Sequence, residues 1–343
     1  MNDKAEQTPR FSVIVPVYNR VDEIEELLES LLYQEDVEPD TYEVIVVEDG
    51  SSLPCNEVCE LYKWKGLNVR YFYKENEGRS IARNVGIENA RGEWLIFFDS
   101  DCVAPADYFQ RLNNEPLLDN IDCFGGPDAA HESFSNTQKA INFAMTSFLT
   151  TGGIRGGKKS MEKFTPRTFN MGIRSDVVKD IGGFREMYSE DIDMSTRIKN
   201  AGYRISLLPE QKVYHKRRID FKKFFRQVHI FGKSRITLHL LYPGSMKLVH
   251  FLPAMFVIGS IICVFLGVFL SPWWLVPLAV FSIAILISAF LETGSVKIAS
   301  MALPASFIQL FGYGTGFISA FFNKIILRKK RDINEEIEAR KGK

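Results

Sequence analysis

The stretch WLIFFDSDCV, residues 94–103, joins a buried strand to a cluster of charge. Five apolar residues, Trp94 to Phe98, run without interruption into Asp99, Ser100 and Asp101. A continuous apolar run of this kind suits a strand covered on both faces. Two carboxylates at its carboxyl tip repel one another unless a cation neutralises them. Mg²⁺ and Mn²⁺, as hard cations, favour carboxylate oxygens and the oxygens of a bound diphosphate. The alternative is a helix cap, with Asp99 or Asp101 preceding a helix that starts near Pro105.

The residues upstream repeat the pattern. FSVIVPV (11–17), YEVIVVEDGSS (42–52) and NVRYFYK (68–74) read as strands. Val21, Ile24, Leu27, Leu28, Leu31 and Leu32 fall at helical spacing between the first two. GRSIARNVGIENA (78–90) reads as a second helix through Ile81, Val85 and Ile87, with Gly92 as a stop. Strands alternating with helices predict an α/β fold with a mostly parallel sheet and right-handed crossovers. Ligands bind such sheets at the carboxyl ends of the strands, where Asp49 and the Asp99–Asp101 cluster both fall. Glu48 alternates to the opposite face from Asp49. Further on, TGGIRGGKKSMEKFTPRTFNMGIRSD (151–176) reads as a glycine-rich, basic loop followed by a strand, FNMGI. It is either a cover that orders over substrate or an ordinary surface loop.

The 343 residues carry 42 Lys and Arg against 42 Asp and Glu, so no global field points to nucleic acid. The five cysteines, Cys55, Cys59, Cys102, Cys123 and Cys263, show no CxxC spacing and predict neither a zinc site nor a disulfide framework. The opening MNDKAEQTPR lacks the apolar core of a secretory signal.

Composition changes near Lys247. Leu248 to Leu291 holds no Asp, Glu, Lys or Arg, enough for two bilayer crossings of roughly 20 residues each. The expected organisation is a polar tail (1–10), an α/β domain (11–219), a basic amphipathic interfacial helix (220–247), a membrane region (248–323) and a charged cytosolic tail (324–343). Residues 213–235 carry eight Lys or Arg against one Asp, with Phe221, Phe224, Phe225, Val228 and Phe231 near one helical face. That pattern suits a helix lying at the membrane surface, or a solvated helix whose Phe stripe faces the core. Within the membrane region, 248–270 and 273–291 read as crossings, with Trp273 and Trp274 at the turn between them. The third apolar stretch, 298–322, contains Pro304 and GYGTG (312–316) and reads as interfacial or re-entrant, or as a third crossing. Basic residues before the first crossing and in ILRKKR (326–331) favour an even number of crossings with both ends in the cytosol. The expected location is the cytoplasmic membrane, multi-pass, with the α/β domain facing the cytosol.

PVYN (16–19), VVEDGSS (46–52), NEGRSIARNVGI (76–87), FFDSD (97–101), GGF (182–184) and SEDIDMSTRI (189–198) occur in an order that resembles family 2 glycosyltransferases. These are inverting enzymes of the GT-A fold, and the resemblance covers about residues 10–220. It implies a nucleobase pocket lined by Pro16 and Tyr18, a base or ribose contact at Asp49, and Arg83 beside the donor diphosphate. Asp99 would contact ribose or metal, and Asp101 would ligate a divalent metal, Mg²⁺ or Mn²⁺. Asp191 would be the catalytic base, with Glu190 supporting it or the acceptor. Asn84 and Gly86 would shape the helix and its packing. His215 stands with Arg217 and Arg218 where processive synthases carry Gln-x-x-Arg-Trp, and it is a candidate contact for an anionic diphosphate or acceptor phosphate.

The function so implied is metal-dependent transfer from a nucleotide sugar, a UDP-sugar being favoured. The acceptor would be membrane-associated, such as a lipid-linked glycan in surface-polysaccharide assembly. Bare polyprenyl phosphate is an alternative acceptor. A non-catalytic nucleotide-sugar sensor is the rival from another class. A transporter fits less well, because the first two apolar stretches hold no charge. Membrane lipids are expected partners and nucleic acid is not.

Overall fold

The computed structural model describes residues 8–129, 134–152, 164–215 and 220–327. They divide into two compact units. The first holds residues up to 131 and 164–215; the second holds 132–163 and most of the chain after 215.

Strands β1 (Phe11–Val17), β2 (Tyr42–Asp49), β3 (Val69–Lys74) and β4 (Trp94–Phe97) alternate with helices α1 (Val21–Leu32), α2 (Asn56–Trp64) and α3 (Arg79–Asn89). There follow β5 (Cys102–Val103), α4 (Tyr108–Asn113), β6 (Cys123–Gly125) and β7 (Asp128–Ala129). Helices α5 (Asn136–Thr146) and α6 (Phe148–Thr151) belong to the second unit. The chain returns to the first unit with β8 (Met171–Arg174), α7 (Ser175–Ile181), α8 (Glu190–Asn200), β9 (Ile205–Leu207) and β10 (Val213–His215).

The main sheet has seven strands in the order β3-β2-β1-β4-β8-β6-β9. It is parallel except for β8, which runs antiparallel to both β4 and β6. The side-chain alternation of β1 explains why the sheet is covered twice. Phe11, Val13, Val15 and Val17 pack on one face with Ile24, Leu27, Leu28 and Leu31 of α1. Ile14 points to the other face, with Ala82 of α3, Val177 of α7 and Met194 and Ile198 of α8. Helix α3 faces the protein interior through Ala82, Arg83 and Gly86; Ile81 and Val85, from the predicted apolar stripe, are only half-buried. A second, three-stranded sheet, β5-β10-β7, pairs β10 antiparallel to β5, setting His215 opposite Cys102.

The second unit also contains α9 (Phe221–Leu241), α10 (Leu252–Phe269), α11 (Val276–Thr293) and α12 (Val296–Phe321). Among the described residues, three segments are long and apolar enough to cross a membrane: Leu252–Phe269, Pro272–Thr293 and Val296–Ile326. Pro304 and the GYGTG glycines do not break α12, which runs continuously from Val296 to Phe321. They lie in a helix surrounded by others. A Cβ on Gly232 would come within 2.1 Å of the Tyr313 carbonyl oxygen, and one on Gly316 within 2.0 Å of the His229 carbonyl oxygen. Small residues thus let α9 and α12 meet backbone to backbone, as helices packed in membranes commonly do. Phe224 and Val228 of α9, placed toward lipid in the sequence reading, are buried with Ile141 and Ala144 of α5 and Ala305 of α12. Phe224 and Val228 of α9 therefore face the other helices, while Phe225 of the same stripe is 40% exposed. Residues 328–343 of the charged tail, including RKKR, as well as Arg217, Arg218 and residues 153–163 of the predicted cover lie outside the described residues.

Candidate active site

The carboxyl ends of β1, β2 and β4 meet at one edge of the main sheet. Pro16 is half-buried near the end of β1, and the ring of Tyr18 beyond it is 51% exposed. Asn19, in the left-handed region at φ 52°, ties this turn to the next. Its N–H donates to Ser51 Oγ at 2.7 Å, and its side-chain oxygen accepts from the Ser52 N–H at 2.9 Å. Glu48 turns inward, as alternation predicts, and accepts from Ser51 Oγ and from the Cys55 N–H at 2.8 Å.

Asp49 is only 4% exposed. Its Oδ1 accepts from Lys74 Nζ at 2.7 Å and the Glu77 N–H at 3.0 Å, and its Oδ2 from the Gly78 N–H at 2.9 Å. Both oxygens are engaged, and Asp49 thereby anchors the loop that leads into α3.

The Arg83 side chain is fully buried and engaged by two carboxylates. Nη2 donates to Asp99 Oδ1 at 2.7 Å and Nη1 to Glu190 Oε1 at 2.8 Å. Arg83 therefore joins the tip of β4 to the first residue of α8, 107 positions along the chain. The exposed cation of that helix is Arg79, one turn earlier, with 54% of its side chain exposed. It also grips Glu190, Nε to Oε1 at 2.8 Å and Nη2 to Oε2 at 2.9 Å. Asn84 makes a double contact with the backbone of Phe184, which sets the GGF turn against α3.

Asp191 is the second residue of α8, after Glu190. Ser189, just before it, holds a left-handed conformation at φ 63° and gives no side-chain cap to the helix. That geometry costs a non-glycine residue roughly 1 kcal/mol or more. Asp191 Oδ1 accepts from the Ile192 N–H at 2.8 Å, and Oδ2 meets Arg167 Nη1 at 3.2 Å. Burial alone would raise this carboxyl. The charge and hydrogen bond of Arg167, the charge of Arg79 and the Ile192 N–H outweigh burial and hold it below the ordinary carboxylate range. Asp193 is wholly buried between Arg185 and Arg197, a structural role.

Asp101 lies on the other side of Asp99 from the apolar strand. Its Oδ1 is 3.1 Å from His215 Nε2, and the His215 ring stacks on Phe169 with centroids 4.9 Å apart. A carboxylate oxygen and an imidazole nitrogen this close are a donor set that divalent cations use. The sequence reading gave His215 to a phosphate; its position beside Asp101 relates it first to the carboxylate.

Residues 12–182 match the model of the family described as glycosyl transferase family 2. The chain belongs to that family. Over 265 residues, 73% of this chain and 81% of the relative, it is 27% identical to the glycosyltransferase AglE of Haloferax volcanii. Over 261 residues, 74% of this chain and 78% of the relative, it is 24% identical to the succinoglycan biosynthesis protein ExoA of Rhizobium meliloti. For four further curated glycosyltransferases, 38–42% identical, the match spans only 14–33% of the relative's length. Among solved structures, a mannosyltransferase of Pyrobaculum calidifontis in complex with GDP-Man and Mn²⁺ aligns with a TM-score of 0.51 at 18% identity. The alignment covers 88% of this chain and 87% of that one, which supports the GT-A fold. This family 2 glycosyltransferase therefore has the predicted fold class, with a mostly parallel sheet followed by apolar helices.

Arg79 and Arg167 were not singled out in the sequence. Arg79 had a signal, since it lies four residues before Arg83 on one helical face. Arg167 sits in a basic loop 24 residues from Asp191, and nothing local marks it.

Proposed function

We propose that this family 2 glycosyltransferase inverts the donor's anomeric centre, using Asp191 as the base that deprotonates the acceptor hydroxyl. The observation that carries the reading is the chain of contacts Asp99–Arg83–Glu190, which ties the acidic tip of β4 to the residue beside Asp191. One carboxylate cluster is thereby placed next to another, as displacement of a diphosphate by an alcohol requires. The donor is a nucleotide sugar, with the exposed Tyr18 ring as a stacking face for its base. Arg79 is the exposed cation available to the negative charge of the donor phosphates. Asp101 and His215 would hold a divalent metal, Mg²⁺ or Mn²⁺, which when bound offsets charge growing on the leaving diphosphate. Asp191 takes the proton as the acceptor oxygen attacks the sugar carbon. Glu190, fixed by two arginines, holds the start of α8 in register with β4.

The acceptor is proposed to be membrane-associated, a lipid-linked glycan, because the chain carries three helices apolar enough to cross a bilayer. The catalytic unit then works on the cytosolic side. The similarity to ExoA favours a role in cell-surface polysaccharide assembly. Incubating purified protein with a nucleotide-sugar panel, Mn²⁺ and a lipid extract, and measuring nucleoside diphosphate release, tests the activity. No release from any donor with the lipid extract present would count against it.

Asp101→Asn is expected to weaken metal-dependent donor binding by at least about tenfold, since one charged ligand is lost. Donor calorimetry with and without Mn²⁺ checks this; an unchanged Mn²⁺ dependence would remove Asp101 from the metal site. Arg167→Gln removes the main cationic neighbour of Asp191 and is expected to raise its pKa. A base works only when ionised, so the acid limb of the pH–rate profile should move to higher pH. An acid limb that stays in place would show that Asp191 does not govern it.

A further inference from the structure

Cys102 lies directly opposite His215 in the β5–β10 ladder. Opposed residues of an antiparallel pair project to the same face, with Cβ atoms about 4.5–5.5 Å apart. The Cys102 sulfur, a carboxylate oxygen of Asp101 and a ring nitrogen of His215 all lie within 4.8 Å of one another. Cys102 is only 1% exposed, and its thiol faces the Phe169 carbonyl at 3.5 Å. The Phe169 ring stacks on the His215 imidazole. Among the described residues no other group of three such donors comes together.

A hard cation gains little from sulfur, whereas borderline and soft ions favour thiolate combined with imidazole. Affinity for such mixed donor sets also rises from Mn²⁺ towards Co²⁺ and Zn²⁺. We propose that Asp101, Cys102 and His215 form an oxygen–sulfur–nitrogen site for a borderline divalent cation, Zn²⁺ or Co²⁺, with the Cys102 thiolate as a direct ligand. On binding, the thiol proton leaves to solvent and a metal–sulfur bond of about 2.3 Å forms. The location rests on the metal role proposed for Asp101; the sulfur ligand goes beyond it. The buried apolar wall around the sulfur keeps water from competing for that position.

The test is a Co²⁺ titration of the full-length protein in detergent, followed by near-ultraviolet and visible absorption. Wild-type protein should develop a sulfur-to-cobalt charge-transfer band that saturates at one equivalent. Cys102→Ser and Cys102→Ala should lose the band, and Cys263→Ser should keep it. Mn²⁺ binding, read by electron paramagnetic resonance of the free ion, separates the two layers of the proposal. A Cys102→Ser protein that binds Mn²⁺ as wild type but gives no charge-transfer band with Co²⁺ is the expected result. Cobalt bound to wild type without that band, or a band that survives in both Cys102 variants, overturns the thiolate ligand and leaves a hard-cation site standing. Failure of wild type to bind either ion overturns both.

Discussion

Asp191→Asn is expected to leave nucleotide-sugar binding intact and to slow transfer by roughly 10²–10⁴-fold, the usual contribution of a positioned base. The substitution keeps the shape of the side chain, and the amide oxygen can still accept from the Ile192 N–H. It cannot take a proton from an acceptor hydroxyl. Donor binding should survive because the residues proposed for nucleotide and metal, Tyr18, Asp101 and His215, lie on other segments. Calorimetry with the donor and a transfer assay on the same preparation separate the two effects. A variant that transfers as fast as wild type would require a different base. Donor affinity falling together with transfer would mean that Asp191 holds the donor.

The second large effect is on stability. Arg83→Met should destabilise the protein by about 3–5 kcal/mol, the cost of removing one partner from a buried ion pair. Arg83 is fully buried, Glu190 nearly so and Asp99 about one-third exposed, so solvent offers little relief to the carboxylates left behind. For a unit of this size, the loss corresponds to a melting point lower by roughly 6–20 °C. Methionine fills similar volume, so the change isolates charge from packing. Thermal unfolding followed by circular dichroism reads the shift. Adding Glu190→Gln and Asp99→Asn to Arg83→Met should restore part of it, because neutral side chains no longer need a cation. A shift below about 2 °C for the single variant would mean that the Asp99–Arg83–Glu190 link is not formed in solution.

The sheet was legible because its central strands are buried on both faces, so β1, β2 and β4 appear as plain apolar runs. The short strands β6, β9 and β10, of three residues each, lack the length to show a period. Helix α5 carried a readable start, with Ser135 and Gln138 in a reciprocal capping box, and was overlooked. Pro304 and the GYGTG glycines were read as breaks because both disfavour an isolated helix. In α12 the neighbouring helices decide, and small residues become contact points.

The site was legible as motifs and much less so as contacts. Asp99, Asp101, Glu190 and Asp191 could be picked out because acids at strand tips and helix starts are conspicuous. Whether Arg83 faces solvent or spans two segments depends on where a helix more than 100 residues later arrives. Helical position alone cannot show that. The same holds for Arg167 against Asp191 and for Cys102 against His215, pairs brought together only by chain crossings.

The anomeric configuration of the transferred sugar is the decisive quantity. With the first nucleotide-sugar donor that yields product, proton NMR of the new glycoside compares its anomeric coupling with that of the donor. A single base acting opposite a departing diphosphate predicts the opposite configuration in the product. The same configuration in product and donor would contradict it.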